Sequence, residues 1–329
     1  MSDIRRILVA VKDPWAPSLP AMEKAAQLAR ALGAKLRLFH AKSEPLYIDV
    51  SQANGYDLPQ IERTELGRPA GRLEALARRL ASSGIAADSA VDWDFPAYEA
   101  VIRAARRFDA DLIVADRHPT SHRFSWLLHF TDFELLRLST VPVLLVKTAK
   151  KYRRPRILAA VDPSHAFSKP VKLDREILGC ASALARALHG QLHAVNAFDP
   201  LPIGKLPTGL ALAEAAQTIE AAAEKRARQT LDRTLRGVNI PQPRRHMVAR
   251  HPIDAIEDVT REIAADVLVM GAISRSGLKR LAVGNTAERV LDHLKCDVLI
   301  VKPRRFVNRV PRAGRGPQIV AVSPIQAVT

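Results

Sequence analysis

The chain has 329 residues, 26% of them charged and 47% hydrophobic, which is too long for one compact core and composed like a folded globular protein. Two domains are expected. The 50 Lys and Arg against 34 Asp and Glu leave a formal charge of +16, which suggests an anionic partner without choosing among nucleic acid, membrane and nucleotide. Two cysteines, Cys180 and Cys296, neither in a CxxC pair, exclude a disulfide framework or a cysteine zinc site. No run approaches the roughly eighteen apolar residues of a membrane span, and no cleavable leader follows the opening arginines. A cytoplasmic protein is expected.

Taken in chain order, the elements recur. Arg6-Ile7-Leu8-Val9-Ala10-Val11 returns as Arg156-Ile157-Leu158-Ala159-Ala160-Val161 at an offset of 150, a short apolar run that reads as a buried strand. Ala29-Arg30-Ala31-Leu32 returns as Ala185-Arg186-Ala187-Leu188, with Gly33 and Gly190 following where a helix C-terminus favours glycine. Alternating strands come next, 35–41 and 191–197. Further on the offset is 155, aligning Asp111-Leu112-Ile113-Val114 with Asp266-Val267-Leu268-Val269 and the closing strands 143–147 and 298–302. Each half therefore reads as five strands alternating with helices, such as 71–80 and 216–235. Strands apolar throughout are buried on both faces, which predicts an α/β fold with a parallel sheet wrapped by helices in each half.

Between the halves, Lys147 to Arg156 carries six basic residues, one proline and no acid, as an exposed linker would. The stretch from Pro303 to Thr329 has five arginines, no acidic residue and no clear periodicity, and is expected to be a disordered basic tail. The domains predicted are thus 1–148 and 149–302, followed by the tail 303–329. These two segments hold much of the excess charge, so no specific nucleic-acid partner is expected.

In a doubly wound sheet, ligands sit beyond the carboxyl ends of the strands, where the winding reverses. In the second half this selects the loop beginning at Asp162 and the segment from Gly271 through Ser274, Arg275 and Ser276 to Gly284, Asn285 and Thr286. Asn285 with Glu288 three residues later resembles a capping box. Gly271 would let the strand end approach a ligand, and amides at the helix start would bind phosphate oxygens, with Arg275, Lys279 and Arg280 as countercharge. The bland alternative is that the glycines form turns and Asp162 closes one.

The run 269–302 resembles the closing segment of universal stress proteins, and Ile157-Leu158-Ala159-Ala160-Val161-Asp162-Pro163-Ser164 resembles that family's first strand and acidic loop. The duplicated layout up to about Lys302 is similar to the tandem-domain members. The resemblance implies two tandem flavodoxin-like (Rossmann-like) domains of five parallel strands with helices on both faces. It also implies a Gly-x2-Gly-x9-Gly-Ser/Thr pattern for ATP and pairing along the last strand. Asp162, Gly271 and Gly284 carry over directly. Ser274 takes the second glycine position and Asn285 the Ser/Thr position, with Thr286 one step late. In the first half Asp116, Pro119 and His129 stand where the second has Gly271, Ser274 and Gly284. A carboxylate there repels phosphate, so no ATP site is expected in that half.

His118, His122 and His129 share this first-half loop, and the four-residue spacing of the first two permits metal binding if helical; Pro119 opposes a helix. Surface histidines are the alternative. No catalytic constellation is visible. The expected function is a stress-response protein that binds a small ligand, ATP being the candidate cofactor, through its second half, with the halves forming an intramolecular pseudo-dimer and a homodimer left open. Two alternatives are carried: a weak ATP hydrolase, and a binder of an apolar small molecule covered by the leucine-bearing insertion at Leu206, Leu210 and Leu212.

Overall fold

A computed structural model describes residues 4–49, 57–117, 133–163, 173–198, 211–271, 293–303, 306–307 and 309–322, with side chains described from 221 onward in the helix that begins at 211. The chain divides into two compact units, one of Ile4–Val146 with Val307–Thr329, the other of Met1–Asp3 with Lys147–Phe306. Among the described residues no helix is long and apolar enough to cross a membrane.

The first unit runs β1 (Arg6–Ala10), α1 (Pro20–Leu32), β2 (Lys35–Lys42), β3 (Leu46–Asp49), α2 (Leu58–Ser82), β4 (Ala87–Trp93), α3 (Ala97–Arg107), β5 (Leu112–Asp116), a short helix at 133–138 and β6 (Val143–Val146). Its main sheet has the order β4-β2-β1-β5-β6, every pair parallel. The second unit runs β7 (Arg156–Val161), α4 (Leu173–Ala187), β8 (Gln191–Ala197), α5 (Ala211–Thr234), β9 (Arg245–Val248), α6 (Pro252–Glu262), β10 (Val267–Gly271) and β11 (Asp297–Val301). Its order is β11-β10-β7-β8-β9, again all parallel. Counting only the strands of each unit's main sheet, both are 3-2-1-4-5, the Rossmann-like arrangement with its reversal between first and fourth strands.

The repeated residues are repeated for a reason. Asp111 Oδ2 accepts the N–H groups of Arg5 and Arg6 at 2.8 and 2.9 Å, and Asp266 Oδ2 accepts that of Arg156 at 2.9 Å. Each aspartate thereby fixes the start of the central strand beside its own. The arginine side chains close the same circuit, Arg6 Nη1 donating to the Phe108 carbonyl and Arg156 Nη1 to that of Ile263. Ile7, Leu8, Val9, Ile157, Leu158 and Ala159 are fully buried, as strands covered on both faces must be.

Helix boundaries follow local chemistry. Gly33 ends α1 in the left-handed region at φ 65°, its N–H returning to the Ala29 carbonyl. Asp57 accepts the Gln60 N–H at 3.1 Å and starts α2. That helix extends well beyond the expected 71–80, accommodating a buried Pro69 in its interior.

The expectation of a disordered tail is corrected over 309–322. β12 (Ile319–Val322) pairs in parallel with β3, from Ile319↔Leu46 to Val322↔Asp49. Upstream, the Arg315 N–H donates to Asp94 Oδ1 at 2.9 Å, and its guanidinium reaches both Glu99 oxygens at 3.1 and 2.9 Å. Asp94 and Glu99 are buried, and Arg103, also buried, bridges them at 2.6 to 3.0 Å. One guanidinium leaves this pair of carboxylates with a net negative charge; the acid-free arm supplies the second.

The linker is corrected as well. Its basic side chains at 150, 151, 153 and 154 are exposed, but Tyr152 and Pro155 are buried.

Candidate functional site

In the second unit the reversal of winding falls between β7 and β10, which pair in the register Val267↔Ile157 through Val269↔Ala159. Asp162 follows the last residue of β7 and Gly271 is the last of β10, so the fold brings these two predicted residues to the same carboxyl edge. Asp162 is buried, and its N–H donates to Asp174 Oδ1 at 3.1 Å. Asp174 lies in the first turn of α4 and is itself buried. Its carboxylate thus anchors the strand-end loop, a role the sequence showed only as an acid in a helical first turn.

Gly271 is small for a further reason. A Cβ there would come within 2.5 Å of Leu173 Cδ2 and 3.4 Å of Ile177 Cδ1. The missing side chain admits the start of α4 rather than leaving open space on that side. Ser274, Arg275, Ser276, Gly284, Asn285 and Thr286 lie outside the described residues.

Asn196 was not singled out by its sequence context. It occupies the penultimate position of β8, paired with Val161, and is 2% exposed. Its Oδ1 is buried without a hydrogen-bond partner among the described residues. A polar atom removed from water and left unbonded is costly by about 1–3 kcal/mol.

On the opposite face of β8, three residues earlier, His193 approaches His246 of β9. The ring nitrogens Nδ1 and Nε2 are 3.1 Å apart, and the rings stack at 5.4 Å between centroids with a 17° tilt. Burial, then the neighbouring His246, Arg244 and Arg156, pushes His193 down to about 4. Burial also lowers His246, opposed by Glu262. Both are neutral at pH 7, one nitrogen donating and the other accepting. Cys296 is buried and pushed up to about 11, chiefly by burial, which makes it a packing thiol.

The first unit fills its equivalent position differently. Asp116, the last residue of β5, accepts the Ala21 N–H of α1 through Oδ1 at 2.7 Å. The helix N-terminus, a natural anion site, is occupied by the protein's own carboxylate. Asp13 accepts the Trp15 N–H at 2.9 Å and closes a turn. His118, His122 and His129 lie outside the described residues, as do Leu206 and Leu210.

The universal stress protein family model matches residues 3–147 and 154–302. Universal stress protein E of Escherichia coli K12 is 26% identical over 312 residues, 92% of this chain and 96% of its own length; that of Photorhabdus laumondii is 25% identical over 313, covering 93% and 97%. Among solved structures, a functionally unknown protein of Pseudomonas aeruginosa PAO1 has a TM-score of 0.70 at 26% identity, covering 92% of this chain and 93% of its own. A universal stress protein from Archaeoglobus fulgidus shares the fold, with a TM-score of 0.61 at 16% identity over 92% and 100%.

Proposed function

The chain belongs to the universal stress protein family in its tandem form, and on that premise we propose that it is a cytoplasmic stress-response protein that binds ATP through its second unit and acts by binding rather than by turnover. The observation that carries this reading is the buried Oδ1 of Asn196, without a partner among the described residues, on the strand next to the one that Asp162 follows. An exocyclic amine or a ribose hydroxyl would satisfy that acceptor, and the Asp162 carboxylate suits a second sugar hydroxyl.

The segment from Ser274 to Thr286, with Gly284, Asn285 and Arg275, would hold the phosphates at a helix start. In the first unit the reading expects no nucleotide, because Asp116 stands at the end of β5 where the second unit has Gly271, with its carboxylate bound to the Ala21 amide. Repulsion between that carboxylate and a phosphate, in a partly buried setting, would add to the loss.

Calorimetric titration of the full chain with ATP tests the reading. Saturable binding is expected, abolished by Gly284→Asp and weakened about tenfold by Asn196→Leu, about the effect of leaving one ligand donor unpaired. Absence of binding at millimolar ATP would overturn it. Phosphate release measured on the same samples separates binding from hydrolysis, and sustained turnover would favour the hydrolase.

A further inference from the structure

The C-terminal arm builds a basic cavity against the first unit. Arg106, in the last turn of α3, donates through Nη1 to the Val310 carbonyl at 2.9 Å. Five residues beyond that anchor stands the Arg315 clamp, so the intervening Arg312 is held beside α3 from both sides. A cavity of about 590 Å³ opens there, lined by Arg103, Arg106, Arg107, Asp109, Val141 and Arg312 among others.

The lining thus contains four arginines and one carboxylate, and the neighbouring acids are already engaged. Asp109 binds Arg6 at 3.1 Å, Asp92 binds Arg107, and Asp94 with Glu99 hold Arg103 and Arg315. Arg106 and Arg312 form no ion pair among the described residues. Burial, then the charges of Arg312 and Arg103, lowers the Arg106 pKa, so the repulsion is not relieved from within. The carbonyl end of α3 explains why cations collect at Arg106 and Arg107. It does not explain why the chain carries a further arginine there on an anchored arm.

We propose that this cavity is an anion site for a compact phosphate-bearing ligand, gripped by Arg106 and Arg312. Guanidinium forks match phosphate oxygens two at a time, and the volume is that of a small-molecule site. Two uncompensated cations match a di- or triphosphate. The described lining offers no aromatic platform on which bases of a nucleic-acid strand would stack. The site lies within the first unit and does not rest on the nucleotide reading of the second.

Calorimetric titration of the full chain with inorganic tripolyphosphate tests the proposal. Saturable binding is expected, weakened about tenfold by Arg312→Gln and by Arg106→Gln, and unchanged in Gly284→Asp. Arg312→Gln removes no bond that anchors the arm, so the proposal does not depend on how Arg106→Gln folds. Absence of saturable binding at millimolar tripolyphosphate overturns it. So does binding that survives both arginine variants, and binding lost in Gly284→Asp but not in the arginine variants assigns the anion to the second unit instead.

Discussion

The Tyr152 hydroxyl donates to Asp297 Oδ2 at 2.5 Å, while Oδ1 of the same carboxylate accepts the N–H groups of Lys147 and Thr148 at 2.8 and 3.3 Å. Asp297 is wholly buried at the start of β11. Burial and then the Asp297 charge hold the Tyr152 phenol well above its ordinary pKa, so it remains a donor. One buried carboxylate therefore fixes a strongly basic stretch to the second unit. Tyr152→Phe should cost about 1–3 kcal/mol of that unit's stability, and Asp297→Ala, which strands three donors, about 3–5 kcal/mol. Urea unfolding followed by circular dichroism reads both. Variants that unfold with the wild type would show that the contact contributes nothing.

The two glycines that look equivalent in sequence should respond differently. Gly33 is left-handed with open space where a Cβ would sit, so Gly33→Ala is expected to cost about 1 kcal/mol from backbone conformation alone. In the second copy His189 takes the left-handed position at φ 51°. Gly190 instead lies under the Pro155 carbonyl, which accepts the Gln191 N–H at 2.8 Å, and a Cβ would collide with that oxygen. Gly190→Ala is expected to cost about 1–3 kcal/mol through backbone displacement, and His189→Gly to stabilise by about 0.5–1 kcal/mol. Thermal melts of the three variants rank them, and an equal loss for both alanines would refute the distinction.

Acid should weaken the second unit through its histidine pair. An unfolded chain takes up a proton at His193 near pH 6.5, the folded one only at about 4. Between those values protons bind the unfolded state in excess, so stability present above 6.5 declines as the pH falls toward 4. His193→Gln should flatten the dependence of the urea midpoint across this window while leaving the alkaline side level. An unaltered slope in the variant would place the acid sensitivity elsewhere.

Much of the fold could be read from residues that do the same job twice. Asp111 and Asp266, with Arg6 and Arg156, repeat because each pair fixes a central strand, and local patterning exposes that duplication. β12 could not be read in this way. Its Ile-Val-Ala-Val stretch lies in an arginine-rich, acid-free segment, and its partner β3 is a short strand near the other end of the sequence. Of the site, Asp162 and Gly271 were legible because strand ends position ligands by a general rule. Asn196 was not, since its significance rests on burial and on the lack of a partner among the described residues, and neither leaves a periodic trace.

The pairing of β12 with β3 means that the first unit is written in two separated passages of the gene. A fragment ending at residue 146 would lack the strand beside Leu46–Asp49 and the guanidinium that balances Glu99. Dissection of the two halves therefore calls for a graft, joining 307–322 to the first passage or adding it as a peptide, before the behaviour of either half is ascribed to that half alone.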